Sequence, residues 1–236
     1  MAPYNFVGKM YGFFLVKIDM LCPFCVIGRF GIIIFRSDCA LSNLLIIADA
    51  PTAVFWDTIC CPVPADLHFI DVLHNIKRCL HESSYNGIVK YMVYDSGSPS
   101  LIDENPPIEN LVITRFPEGG DPFEKFKKIF VDIMEWSIDN PVPANILYIS
   151  GETNPHMTGL INKLGMDCYN TLLCVRDSLA AFPTNGRLPL VTRDFHFVRS
   201  VWSWCELSHG RPPFFNWFSD KLREVTKAKE GARISC

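Results

Sequence analysis

Several common kinds of active site have no footprint in this chain. It has no glycine-rich loop that could cradle a phosphate, no Ser-His-Asp signature, and no second Cys or His pair at the spacing a zinc site needs. Charge of one sign is also missing. The 22 Lys and Arg face 25 Asp and Glu, a net charge of −3, so no global positive field advertises nucleic-acid binding and any such site must be local. No charge-free run approaches the ~18–20 residues a helix needs to cross a bilayer, because Lys17, Asp19 and Arg29 interrupt the most apolar stretch. The ten scattered cysteines fall well short of the ~8–10% of a disulfide scaffold, which favours thiols in a reducing compartment. No internal repeat is visible.

Core-forming material, in contrast, is plentiful. Hydrophobic residues make up 49% of the 236 positions and charged residues 20%, which excludes a disordered or fibrous chain. The length suits one domain with an extension. Residues 1–50 are the extension, apolar and of unknown role. Extra strands (IGRFGIIIF, SNLLIIADA) are a better reading of it than a secretory signal, since its apolar block is split and no cleavage site follows. Cys22-Pro23-Phe24-Cys25 has redox spacing, but the residues after it read as strand, and no helix dipole would lower a thiol pKa there. Two core thiols is the simpler reading.

From residue 52 the pattern alternates. Strands are expected at 52–57, 88–95, 111–116, 145–151 and 169–175. Helices are expected at 66–84, with Asp66 as N-cap, at 124–139, with Phe126, Ile129, Phe130, Ile133 and Trp136 on one face, and at 155–164. A loop spans 96–107 and another 178–190; 195–207 is helix or strand, and 214–230 reads as an amphipathic tail helix. Alternating strands and helices imply right-handed crossovers and a three-layer α/β/α, Rossmann-like domain on a mainly parallel sheet of about five strands. The expected division is 1–50, 51–213 and 214–236.

Ligands of such sheets bind beyond the carboxyl ends of the strands. The polar residues expected there are Asp57, Asp95 and Ser150-Gly151-Glu152-Thr153-Asn154, joined by Asp132 if its helix faces that edge. Converging oxygens suit Mg²⁺ or Mn²⁺, although an isolated Asp is far more often a cap or a solvated charge. Lys125, Lys127 and Lys128 could contact RNA phosphates; the blander reading is a solvated helix face. Arg193, Arg199, Trp202 and Trp204 could hold a single strand, against a core role for at least one Trp. His68, His74 and His81 read as surface residues. The tail, with Phe214, Phe215, Trp217 and Phe218 among lysines and arginine, could engage a protein partner, a membrane surface or RNA, or simply pack on the domain.

Five segments then carry a resemblance: Phe55-Trp56-Asp57-Thr58-Ile59-Cys60-Cys61-Pro62-Val63-Pro64; Lys127 through Trp136; Asp139 through Asn145; Ile149-Ser150-Gly151; and Ser200 through Trp204 continuing to Gly210-Arg211-Pro212-Pro213. Together they resemble the NYN domain, and within it a plant branch similar to the limkain-b-type meiosis regulator and mRNA stability factor. The resemblance spans roughly 52–213. It implies a PIN-like (FLAP-nuclease-like) fold, Mg²⁺- or Mn²⁺-dependent endoribonuclease chemistry on single-stranded RNA, roles in RNA processing and regulation of gene expression, and a cytoplasmic or peroxisomal location. Carried over residue by residue, it makes Asp57, Asp132 and Glu152 catalytic, and Asp57, Asp132, Glu152 and Asn154 metal-binding. The family's Glu-Asn after the first Asp is Ile59-Cys60 here, its first helical Asp is Phe126, and its Ser-Gly-Asp-x-Asp turn is Ser150-Gly151-Glu152-Thr153-Asn154. Fewer carboxylates and a longer Glu152 imply a partly degraded acidic site, with a catalytically inactive RNA-binding or protein-interaction module as the alternative. A defective gene product without function is a further rival.

Overall fold

The computed structural model describes residues 48–95, 108–151, 154–180 and 194–216. The expectations for residues 1–47, for the 96–107 loop, for Glu152 and for most of the tail lie outside them. In chain order the elements are β1 (Thr52–Asp57), α1 (Phe69–Glu82), β2 (Val89–Asp95), β3 (Leu111–Arg115), α2 (Pro122–Asp139), β4 (Asn145–Ser150), α3 (Pro155–Met166), β5 (Asn170–Val175), α4 (Asp177–Ala180), β6 (Val198–Ser203), α5 (Trp204–Ser208) and β7 (Phe215–Asn216).

The strands form one sheet in the order β3-β2-β1-β4-β5-β6-β7. β1 through β6 run parallel, and β7 pairs antiparallel with β6. The architecture is the three-layer α/β/α, PIN-like one expected, with a sixth parallel strand and a short antiparallel edge added to the five anticipated. Residues 198–203 are therefore strand, and Phe215 belongs to the sheet, not to a tail helix.

Every residue of β1, β4 and β5 is buried, as strands covered on both faces must be. Alternation sends Val54, Trp56, Leu147, Ile149, Leu172 and Cys174 to one face, where Phe69, Val72, Leu73, Ile76 and Leu80 of α1 cover them. Ala53, Phe55, Ile146, Tyr148, Leu173 and Val175 go to the other face, under Ile129, Ile133 and Trp136 of α2 and Met157, Ile161 and Leu164 of α3. Trp202 and Trp204 are both core residues, so neither offers a ring to a nucleic-acid base.

Helix α1 starts later than expected. His68 is its N-cap, with the Asp71 carboxylate accepting the His68 N–H at 3.3 Å. Asp66 instead accepts from His209 Nε2 at 3.1 Å, tying the loop before α1 to the end of α5. His68, His74 and His81 are exposed.

At the amino ends of the central strands the sheet is sealed by side-chain amides. Asn145 Nδ2 donates to the Ala50 carbonyl and to Thr52 Oγ1, both at 3.1 Å, and Asn170 Nδ2 donates to Asn145 Oδ1 at 2.9 Å. These buried amides are satisfied and belong to stability. The carboxyl ends are left for chemistry.

Candidate functional site at the carboxyl edge of the sheet

The crossover from β3 through α2 brings β4 to the far side of β1, so the strand order reverses between β1 and β4. A ligand crevice in an open α/β sheet lies outside the carboxyl ends at such a point. Asp57 ends β1 there, Ser150 ends β4 and Asp95 ends the neighbouring β2. Gly151 follows β4 where the backbone comes very close to the β1 turn: a Cβ on it would lie 2.8 Å from the Cys60 carbonyl oxygen.

The turn after β1 is held from several sides. Trp56 Nε1 donates to the Cys61 carbonyl and Trp204 Nε1 to the Pro62 carbonyl, both at 2.8 Å. Arg176, just past β5, donates Nε and Nη2 to the Cys60 carbonyl at 3.2 and 3.0 Å. The Cys61 thiol of this turn stays protonated, since burial pushes it far above the ordinary thiol range.

Asp57 is 4% exposed. Its Oδ1 accepts the N–H groups of Ile59 and Cys60 at 3.0 and 3.4 Å. Lys125 then closes over the carboxylate, with Nζ 3.0 Å from Oδ1 and 2.8 Å from Oδ2. Lys125 arrives from the first turns of α2, a helix opened by Asp121, whose side chain accepts the Phe123 N–H, and by Pro122.

Asp132 lies on the buried stripe of the same helix among Ile129, Ile133 and Trp136. A carboxylate in that setting needs partners. Tyr94 donates its hydroxyl to Oδ2 at 2.8 Å, and Lys128, one turn back, pairs with Oδ1. The Tyr94 hydroxyl is pushed far above the ordinary phenol range, first by burial and then by the Asp132 charge, so it remains a donor. Asp95 accepts from Thr58 Oγ1 at 3.1 Å through Oδ1, while its buried Oδ2 has no hydrogen-bond partner among the described residues.

The other sequence-derived site residues sit as follows. Lys127 pairs with Glu124 at 2.6 Å and lies 5.0 Å over the Phe123 ring. Asn154 is the N-cap of α3, its Oδ1 accepting the His156 N–H at 2.9 Å. Phe126 packs with Phe130 against the α2–α3 core, its ring 6.3 Å from that of His156.

The NYN domain family model matches residues 51–197, more than half of the chain. The chain belongs to the NYN family. NYN domains are PIN-like and of ribonuclease type, and generally depend on divalent metal. No curated protein matches the chain.

The described acids of this NYN domain do not fit a divalent centre as they stand. Asp57 faces an ammonium with both oxygens, Asp132 is shared between Lys128 and Tyr94, and Asn154 spends its oxygen on its own helix. No group of three His, Cys, Asp or Glu among the described residues is placed to hold one ion.

Strand ends single out Asp57 in the sequence, with Asp132 conditional on its helix facing that edge. Lys125 and Lys128 read there as RNA contacts, not as the partners of these acids. Positions 125, 129, 132 and 136 follow helical spacing, so the signal for Lys125 was its place on the stripe that buries Ile129 and Trp136. Tyr94 had no such signal, because its role depends on which helix covers β2.

Proposed function

We propose that this NYN domain acts on single-stranded RNA at the rim formed by the ends of β1, β2 and β4 and the start of α2, and that its acidic site is partly degraded. The carrying observation is that Asp57, at the end of β1, and Asp132, on the buried stripe of α2, are both withdrawn from solvent and that each is matched by a lysine of α2. Phosphates approaching the rim meet cations already in position, with Lys127 and the half-exposed Lys128 at the solvent side. On this reading Asp57, Asp132 and Glu152 are what remains of the hydrolytic acids, Asn154 stands where a further acid is expected but caps α3 with its oxygen, and Lys127 and Lys128 serve RNA while Lys125 is held by Asp57. Mg²⁺ or Mn²⁺ is the ion the family chemistry would call for. RNA processing and regulation of gene expression in the plant limkain-b-like branch, in the cytoplasm or at peroxisomes, are the matching biological roles. Residues 51–216, through the β7 edge strand, form the working unit, with 1–50 as an extension and 217–236 as a tail open to protein partners.

The pairing of Asp57 with Lys125 favours a second reading, a catalytically inactive RNA-binding module on the same fold. One assay separates the possibilities: labelled single-stranded RNA incubated with the full chain, first in EDTA and then with Mg²⁺ or Mn²⁺. Binding in EDTA with slow metal-dependent cleavage, lost in Asp57→Ala, is the expected result. Binding without cleavage selects the inactive module. Vigorous metal-dependent cleavage that vanishes in Asp57→Ala overturns the degraded site, and no RNA binding under either condition overturns both readings.

A further inference from the structure

We infer that the Lys125 ammonium is the resident cation of this rim: it occupies the face of Asp57 that a divalent ion would take, and the two compete for the carboxylate. The inference rests on the nuclease-type reading above and deepens it by naming the group that blocks the metal.

Reach and burial come first. Lys125 Nζ is within 3.0 Å of both Asp57 oxygens, and the two side chains are 12% and 5% exposed. An exposed lysine–carboxylate pair exchanges freely with water and contributes little. Here Asp57 is almost wholly withdrawn from solvent, and such a charge must keep a counter-charge or leave the ionised state.

The donor arrangement points the same way. Asp57 Oδ1 receives two backbone N–H groups besides the ammonium. A cation entering this site therefore displaces Lys125. Asp132 repeats the design, with Lys128 on one oxygen and the Tyr94 hydroxyl on the other. Two positions of one helix thus each supply a positive charge to a buried acid. A divalent ion brought to ion-pair distance of such an ammonium is repelled strongly enough to weaken its binding by more than about tenfold.

The test uses the full chain as wild type, Lys125→Gln, Lys125→Arg, and the double variant Lys125→Gln/Asp57→Asn. Thermal unfolding is followed in EDTA and in Mn²⁺, and Mn²⁺ affinity is read from the free-ion electron paramagnetic resonance signal. Lys125→Gln should bind Mn²⁺ more than about tenfold tighter than wild type. Its midpoint should rise by roughly 5–10 °C when the ion is at about a hundred times its dissociation constant. Wild type and Lys125→Arg, which keep the cation, should respond at most about half as strongly at the same Mn²⁺ concentration, and the double variant should lose the response. Should Lys125→Gln not fold in EDTA, Lys125→Met, which keeps much of the apolar stem, carries the same expectation, and folding restored by Mn²⁺ is the predicted result.

Equal Mn²⁺ affinity in wild type and Lys125→Gln overturns the inference, as does absence of any Mn²⁺ effect in both neutral variants. The RNA measurement in EDTA is separate. A chain that fails to bind RNA yet shows the competition loses the functional reading and keeps the lysine; the reverse pattern does the opposite.

Discussion

A single hydroxyl illustrates how closely the buried acids are balanced. Tyr94 lies opposite Asp57 in the β1–β2 register, and its side chain reaches across to Asp132. Tyr94→Phe keeps the ring and removes the donor, leaving Asp132 with Lys128 as its remaining described partner. The loss should lie at about 1–3 kcal/mol, the usual cost of an abandoned buried acceptor, and denaturant titration at neutral pH would measure it. A loss near zero would mean that solvent or a rearranged Lys128 serves Asp132 equally well. Trp202 is a residue-scale exception to the rule of satisfied polar groups: its indole N–H is buried without a partner among the described residues. Nothing in the structure explains it.

Among the described elements, the junction between α5 and the loop before α1 carries a pair whose charge depends on pH. His209 donates from Nε2 to Asp66 at 3.1 Å, and its Nδ1 lies 2.8 Å from the Cys205 carbonyl, so both ring nitrogens face acceptors and the imidazolium form is favoured. The bond to Asp66, followed by that to Cys205, raises the His209 pKa above 6.5, while the same partner lowers that of Asp66 below 3.8. The signs differ accordingly. Stabilisation through His209 is complete below its ordinary value and disappears as pH rises through the raised one. Stabilisation through Asp66 is present above its ordinary value and disappears as pH falls through the lowered one. The latch is therefore intact in mildly acidic solution. Asp66→Asn should bring the His209 titration back toward 6.5, readable by NMR of the ring protons, and an unchanged titration would show that Cys205 alone sets it.

Elements also show what a sequence discloses and what it withholds. β1, β4 and β5 were legible because unbroken apolar runs in a chain of alternating helices leave few alternatives. The start of α1 was not, since Asp66 is as good a cap by residue type as any, but here it lies inside the Pro64–Leu67 turn and pairs with His209, 143 positions away. β6 was ambiguous because Val198–Ser203 is followed at once by the short α5. The site divides in the same way: Asp57 and Asp132 follow from strand ends and helix spacing, whereas the lysine and tyrosine that neutralise them are matters of packing between distant segments.

For the molecule as a whole, the relevant quantity is the small number of cations it can present to a polyanion. With a net charge of −3, attraction to RNA must come from a local cluster. Because Lys125 is committed to Asp57, contacts from Lys127 and Lys128 alone predict a shallow salt dependence, with log K falling against log salt at a slope of about −1.4, from roughly −0.7 per phosphate on a single strand. Filter binding across a salt series would give the slope, and Lys127→Ala should reduce it by about 0.7. A much steeper dependence would place further basic residues on the path of the strand.

The collar around the β1 turn has a mechanical corollary. Two indoles and a guanidinium fix three successive carbonyls, from Cys60 through Pro62, and Gly151 leaves the turn no room on its open flank. The aspartate is thus bolted to its bedrock, while its partner hangs at the tip of a four-carbon arm. Whatever arrives at this corner, any yielding falls to the arm.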